Sequence, residues 1–173
     1  MEIIKALPNQ HQELAHFARH AYRHAFGDEI GSTALNQHLT QEMSDYYFKK
    51  ILSVDTVYLA LIDSKIVGFA QLGAVDGAYA EHIESFDGPG GELRRLYVEP
   101  ELQSQGIGSQ LMIKTINHLK QMSYRTVYLT TWESNVRAQE FYSRQGFSRV
   151  GQYPEYDNDG SLNGYEFIML REL

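Results

Sequence analysis

The alternation of apolar and polar positions divides the first part of the chain into a short strand followed by helices. Residues 3–7 form an apolar run that suits a first strand. In residues 10–26 the apolar positions recur at the spacing of one helix face, at Leu14, Phe17, Ala18, Ala21 and Ala25. This spacing predicts an amphipathic helix. A second helical region is predicted in residues 32–52.

The rest of the pattern alternates strands with two further helices. Residues 56–62 and 66–74 predict an antiparallel hairpin. Further strands are predicted at residues 92–98, 127–131, 149–153 and 165–170, and further helices at 106–122 and 136–145. The order β-αα-β-β-β-α-β-α-β-β predicts an α/β (α+β) fold. We expect a mixed, mostly antiparallel twisted sheet of about seven strands with helices on both faces.

Length and composition limit the class of protein. A chain of 173 residues with 43% hydrophobic and 21% charged residues suits a single globular domain over residues 1–173. The absence of cysteine excludes disulfides, thiolate metal sites and a cysteine nucleophile. We find neither an apolar run that could span a membrane nor a signal peptide, and therefore expect a cytoplasmic protein.

The net charge bears on the kind of partner. The 15 basic and 22 acidic residues give a formal charge of −7. Nucleic-acid binders usually carry the opposite sign, whereas a cationic small molecule would be attracted. An acidic loop at residues 75–91, with Glu81, Glu84 and Asp87, is interpreted either as solvated surface or as the border of a site for a polycation.

A glycine-rich loop between a strand and a helix carries the strongest chemical signal. Pro100 ends the strand, and Gly106 and Gly108 lie where the next helix begins. The first N–H groups of a helix lack partners within it, and glycine lets a ligand approach the backbone closely. This arrangement predicts an anion site, most naturally for a pyrophosphate. A helix start with two glycines and no ligand is the alternative. Leu111 replaces the third glycine of a Rossmann motif, and the Gly-Lys-Ser/Thr of a P-loop is missing.

Two motifs in this order resemble a known family. Gln103-x-x-Gly106-x-Gly108 after a strand is similar to the acyl-CoA-binding motif of the GNAT superfamily of N-acetyltransferases. Residues 135–147 read Asn-x-x-Ala-x-x-Phe-Tyr-x-x-x-Gly-Phe and resemble that family's second cofactor segment. The element order of the whole chain also fits the family. Trp132-Glu133 resembles the PaiA-type polyamine acetyltransferases in particular.

The resemblance implies acetyl-CoA as cosubstrate and no metal. It implies that the pantetheine arm pairs with the backbone of Leu96, Tyr97 and Val98. Asn135 would form a hydrogen bond with the pantetheine. A backbone N–H near Val98 would polarise the acetyl carbonyl. The pyrophosphate would lie on the backbone of Gln103, Ser104, Gln105, Gly106, Ile107, Gly108 and Ser109.

The resemblance also implies an acid and a base. Tyr142, placed at the start of a helix and beside the cofactor, is the candidate acid that protonates the leaving thiolate. Its alternative role is a core aromatic next to Phe141. Glu92, eleven residues before Gln103, is the candidate base for the acceptor amine. Its alternative role is a surface carboxylate paired with Arg94.

Other candidates have weaker patterns. His16, His20 and His24 share one helix face, which favours a solvated surface over a metal site because no further ligand accompanies them. The aromatic run at residues 46–48 could supply cation–π contacts to an ammonium.

The sequence thus predicts transfer of an acetyl group from acetyl-CoA to a primary amine of a small, cationic, polyamine-like acceptor. The amine would attack directly in a ternary complex, in keeping with the missing cysteine. The alternatives are a protein or peptide N-acetyltransferase and a catalytically silent acyl-CoA-binding regulatory module. Neither nucleic acid nor membrane is an expected partner. Dimerisation is common in the family, so a homodimer remains open.

Overall fold

The computed structural model describes residues 1–27, 31–75, 82, 90–156 and 159–173. The acidic positions Glu81, Glu84 and Asp87 lie outside the described residues. Within that part of the chain the helices are α1 (His11–Phe26), α2 (Ser32–Gln41), α3 (Asp45–Ile51), α4 (Ile107–Gln121) and α5 (Val136–Arg144). The strands are β1 (Glu2–Lys5), β2 (Thr56–Ile62), β3 (Lys65–Ala74), β4 (Gly91–Val98), β5 (Thr126–Trp132), β6 (Ser148–Tyr156) and β7 (Leu162–Glu172). None of the described helices is long and apolar enough to cross a bilayer.

The strands form one sheet in the order β1-β2-β3-β4-β5-β7-β6. The pairs β1–β2, β2–β3, β5–β7 and β6–β7 are antiparallel, whereas β4 runs parallel to β5. The predicted mixed, mostly antiparallel sheet of seven strands is confirmed. The boundaries of the predicted strands differ from the observed ones by a few residues, as is usual at element ends.

The helical region predicted over residues 32–52 forms two separate helices. Ser44 begins α3, and its side-chain oxygen accepts a hydrogen bond from the Tyr47 backbone N–H at 3.0 Å. A serine that caps a helix satisfies one of the otherwise unpaired N–H groups of its first turn. The cap therefore explains why α3 starts afresh instead of continuing α2.

Two units can be described separately. The first comprises Met1–Leu72 and Arg95–Thr115, and the second comprises Gly73–Arg94 and Ile116–Leu173. The first unit buries residues of α1, α3, β2 and β3 in one apolar cluster that includes Leu14, Phe17, Phe48, Leu59 and Phe69. The second unit buries residues of α4, β5 and β7, including Leu119, Val127, Tyr128, Leu129 and Ile168.

A buried polar network in the first unit centres on Arg95 of β4. Its guanidinium donates to Gln71 Oε1 at 2.9 Å, to the Tyr47 hydroxyl and to Glu42 Oε2 at 3.3 Å. Gln71 in turn donates to Asp55 Oδ2 at 2.6 Å. The Arg95 side chain is only 14% exposed and Gln71 is buried, so removal of the guanidinium would leave the Gln71 Oε1 without this donor.

We predict that Arg95→Leu lowers the free energy of unfolding by about 2 kcal/mol, because the Gln71 Oε1 and the Tyr47 hydroxyl lose hydrogen bonds from a charged donor. Urea unfolding at neutral pH measures this loss. Arg144→Leu is the matched control, since Arg144 pairs with Glu140 on the surface and both side chains are mostly exposed. The control should change stability by less than about 0.5 kcal/mol. Equal losses in the two variants would contradict the assignment.

Candidate active site

The glycine-rich loop connects the end of β4 to α4. The Glu99 N–H donates to the Val67 carbonyl at 2.9 Å, and Pro100–Leu102 then forms a single 3-10 turn. Ser104 and Gly106 follow with φ of +64° and +85°. Two left-handed residues this close together turn the backbone sharply before α4 begins at Ile107.

The backbone of this loop has the form of an anion site. The first N–H groups of α4 have no acceptor within the helix, and a helix start carries partial positive charge. A Cβ added at Gly106 would meet no atom within 4 Å, so the space beside the loop is open. The residues present therefore fit the predicted pyrophosphate, while the individual contacts of Gln103 to Ser109 stay predictions.

The side chain of Gln103 has a structural partner. Its Nε2 donates to the Val98 carbonyl at 3.2 Å and so fastens the loop to the end of β4. Leu96, Tyr97 and Val98 are the half-buried last residues of that strand. The Tyr97 ring stacks on Phe69 with centroids 5.6 Å apart. The predicted pairing of a pantetheine arm with this strand end therefore concerns the backbone.

Asn135 is the N-cap of α5. Its Oδ1 accepts a hydrogen bond from the Ala138 N–H at 3.1 Å. With Oδ1 used in this way, the Nδ2 amide is the more suitable group for the predicted contact to pantetheine. The sequence motif thus contains a helix cap as well as a candidate ligand.

Tyr142 lies in the last turn of α5, and the expectation that it stands at the start of a helix is wrong. Its ring packs edge-on against Phe141 and Phe147, with centroids 5.3 Å and 5.8 Å apart. Burial first, and then the charge of Glu166, raise the pKa of the Tyr142 hydroxyl well above its usual range. The partial negative charge of a helix C-terminus also disfavours a phenolate. Tyr142 is thus both a packed aromatic and a firmly protonated hydroxyl.

Glu92 is buried on β4, with 7% of its surface exposed. The Arg94 Nη2 lies 3.5 Å from Glu92 Oε2 and donates to the Ala74 carbonyl at 2.8 Å. The pairing with Arg94 that the sequence suggested is present, yet the carboxylate is not on the surface. A carboxylate that is buried beside an arginine is a stronger candidate for a functional group than a carboxylate in solvent.

The sequence prediction missed Glu166 of β7. Burial, followed by the charge of Glu155, raises the pKa of Glu166 to about 7, and a hydrogen bond from the Thr130 side chain opposes the rise. Its Oε2 is buried and accepts no hydrogen bond from the described residues. A signal existed, because Glu166 is the one carboxylate in the otherwise apolar and aromatic run of residues 165–170.

Strand registers place Glu92 and Glu166 on the same face of the sheet. Glu92 is opposite Tyr128 on β5, and Glu166 is opposite both Trp132 on β5 and Tyr153 on β6. Directly paired residues point to one face, and so do residues two apart on a strand. Tyr128 and Trp132 are four residues apart, so the two carboxylates share a face.

Tyr153 belongs to the same group. Burial and the charge of Glu166 raise its pKa to about 12, and the charge of Glu92 adds a smaller part. Its ring lies 5.5 Å from that of His82. Within the second unit, Glu166 therefore acts electrostatically on both Tyr142 and Tyr153, and Glu92 acts on Tyr153.

The remaining sequence candidates lie elsewhere. His16, His20 and His24 are exposed on α1, which confirms the solvated face, and His20 Nε2 lies 2.9 Å from Glu99 Oε1. No group of residues that could hold a metal ion occurs in the described ranges. In the aromatic run, Tyr46 is exposed, Phe48 is in the core and Tyr47 accepts from Arg95.

Comparison with known proteins gives a consistent picture. Residues 14–147 match the model of the acetyltransferase (GNAT) family. An uncharacterized N-acetyltransferase from Archaeoglobus fulgidus is 34% identical over 117 residues, which is 66% of this chain and 74% of the relative. A spermine/spermidine N(1)-acetyltransferase from Bacillus subtilis is 24% identical over 165 residues, which is 86% of this chain and 96% of the relative.

A solved structure shares the fold. The PaiA N-acetyltransferase from Thermoplasma acidophilum, crystallised with coenzyme A, superposes with a TM-score of 0.77. The superposition covers 100% of both chains at 18% sequence identity. At 18% identity, the similarity to this structure shows a common fold. The order of helices and strands predicted from the sequence agrees with that fold.

We predict that Gly106→Ala weakens coenzyme A binding about tenfold, because a side chain at φ of +85° costs about 1 kcal/mol or more of backbone strain at the loop. Isothermal calorimetry measures the affinity. Gly160→Ala is the matched control, since Gly160 has φ of +84° and open space around it but lies between β6 and β7. Loss of affinity in both variants, or in neither, would contradict the proposed binding loop.

A second prediction concerns stability and pH. The folded state raises the pKa of Glu166 from an ordinary value of 4.5 to about 7. The folded protein then binds more protons than the unfolded chain between these values, so stability falls as pH rises through this window. Glu166→Gln should remove most of that fall, worth about 2 kcal/mol at pH 8 once partial exposure is discounted.

Urea unfolding at about pH 5 and about pH 8 measures this difference. Glu140→Gln changes an exposed carboxylate and is the control that should leave the pH dependence intact. An unchanged fall in stability in Glu166→Gln would show that Glu166 is ionised in the ordinary range.

Proposed function

The chain belongs to the GNAT family of acetyltransferases, which use acetyl-CoA as donor, and we propose that its acceptor is the primary amine of a small polyamine-like cation. The amine attacks the thioester directly in a ternary complex. The observation that carries this proposal is the sheet face of the second unit, where two carboxylates that are wholly or partly buried accompany the protonated hydroxyl of Tyr142.

Charge supports a cationic acceptor. Glu92 and, above its pKa of about 7, Glu166 place negative charge on one face, and the chain as a whole has a formal charge of −7. Negative charge with low-dielectric surroundings concentrates cations far more effectively than the same charge in water. The relative from Bacillus subtilis, which aligns with 86% of this chain, is named for spermine and spermidine.

The reaction needs a proton transfer from the ammonium and another to the thiolate, and these give roles to Glu92 and Tyr142. A primary amine is an ammonium at neutral pH and must lose a proton before it can attack. We assign this first proton to Glu92. The departing thiolate needs a proton, which Tyr142 supplies because burial and the charge of Glu166 keep it protonated.

The loop before α4 supplies the donor site. The backbone of residues 103–109 would hold the pyrophosphate, with Gly106 giving the close approach, and Leu96 to Val98 would pair with the pantetheine arm. Two alternatives remain to be tested. They are a peptide acceptor and a silent acyl-CoA-binding module, and the second would not require Tyr142.

Tyr142→Phe should lower kcat for thiol release at least about 100-fold while leaving the affinity for coenzyme A within about twofold. The hydroxyl is lost but the aromatic packing against Phe141 and Phe147 is kept. Tyr156→Phe is the matched control, because Tyr156 is 61% exposed, and it should keep full activity. A Tyr142→Phe enzyme with an unchanged rate at every pH would exclude the acid role.

A panel of acceptors tests the substrate class. Thiol release from acetyl-CoA is measured with spermidine, an aminoglycoside, a free amino acid and a peptide with a free N-terminus. We expect turnover with spermidine at the highest kcat/KM. Turnover with the peptide alone would replace the proposed class, and coenzyme A binding without any turnover would favour the silent module.

A further inference from the structure

We propose that Glu166 is a second proton acceptor in the reaction, taking the proton that the acceptor nitrogen loses once its bond to the acetyl carbon has formed. This inference rests on the proposed function, because it concerns the same amine and the same thioester. It assigns a role to a β7 residue that lies in neither of the two sequence motifs.

The position of Glu166 follows from the strand registers. Trp132 on β5 and Tyr153 on β6 are its direct partners, so its side chain leaves the sheet on the face that also carries Glu92. Its charge contributes to the raised pKa of the Tyr142 hydroxyl, the group to which we assign protonation of sulfur.

The inferred role requires the acceptor nitrogen to lie beside Glu166. In the tetrahedral intermediate, nitrogen and sulfur are bonded to the same carbon. With Tyr142 beside the sulfur, the nitrogen would lie toward the sheet face that carries Glu166. Glu166 Oε2 is suited to receive a proton, because it is buried and accepts no hydrogen bond from the residues that the structure describes.

The proton count closes with this assignment. The ammonium gives its first proton to Glu92, from which it reaches solvent. The neutral amine then forms the N–C bond, and nitrogen gives its second proton to Glu166. The C–S bond breaks, and sulfur takes the proton of Tyr142. Protonated Glu166 restores the hydroxyl of Tyr142, so each turnover releases one proton, one acetylated amine and one thiol.

The surroundings of Glu166 determine at which pH it can act. The titratable groups that interact with Glu166 are Tyr142 on α5 and Tyr153 and Glu155 on β6. Glu92 acts on Tyr153, and the His82 ring lies 5.5 Å from the Tyr153 ring at a tilt of 34°. The described residues that neighbour it on β5, Thr130 and Trp132, are uncharged. Glu155 is exposed, and its negative charge makes Glu166 harder to ionise. We therefore expect activity to rise with pH through a limb near 7, where Glu166 becomes a base.

The test is the pH profile of kcat between about pH 5.5 and about pH 9, with saturating acetyl-CoA and spermidine, for the wild type and two variants. Glu166→Gln should lower kcat at pH 8 about 100-fold and lose the limb near 7, with the affinity for coenzyme A unchanged by calorimetry. Glu155→Gln should keep the full plateau rate and move the limb to lower pH, because the charge that opposes ionisation of Glu166 is gone.

The possible results distinguish failure of this inference from failure of the proposed function. A Glu166→Gln enzyme that keeps the wild-type rate and profile overturns the inference while leaving the proposed function intact. If Glu166→Gln fails to fold, an unmoved limb in Glu155→Gln overturns it equally. A wild-type protein that acetylates none of the amines refutes the proposed function itself, and this inference with it.

Discussion

The parallel pairing of β4 with β5 at Gly91 and Glu92 sets the geometry on which the candidate catalytic groups depend. A Cβ at Gly91 would lie 2.5 Å from Leu119 Cδ2 of α4, so a larger residue there would force the Leu119 side chain to move. With Glu92 in register opposite Tyr128, the ladder from β5 through β7 to β6 fixes which other side chains share its face. Burial of Glu92 and the position of Glu166 both follow from this register.

The proposed acid and the proposed base differ in their surroundings. The hydroxyl of Tyr142 is held protonated by burial and by the charge of Glu166, while burial and Glu155 bring the pKa of Glu166 up to about 7. A carboxylate in water is too weak a base for an ammonium, and a desolvated one is considerably stronger. The same burial that costs stability at neutral pH would thus supply the basicity that the proposed acetylation of an amine needs.

Much of this architecture can be predicted from the sequence because it is set locally. A loop in which glycine permits an unusual backbone follows from the position of Gly106 between a strand and a helix, and its φ is +85° in the structure. The seven strands follow from apolar alternation. The break within residues 32–52 could not be placed at Ser44 from the sequence, since a serine in a polar stretch gives no unique sign of a helix start.

Glu166 was missed for a different reason. Its chemistry comes from desolvation and from the charge of Glu155, which only the paired strands bring near it. Likewise, the burial of Glu92 and the double use of Asn135 as cap and candidate ligand depend on packing between elements distant in sequence. Composition and spacing describe which groups a chain contains, whereas their protonation depends on what surrounds them.

The central claim is that a carboxylate of ordinary type is made a base near neutral pH by its place on this sheet face. The most direct measurement is an NMR titration of the protein with ¹³C at the glutamate side-chain carboxyl, the Glu166 signal being the one absent from Glu166→Gln. Our account predicts that this signal titrates with a midpoint of about 7. A midpoint at the ordinary value of 4.5 would contradict it.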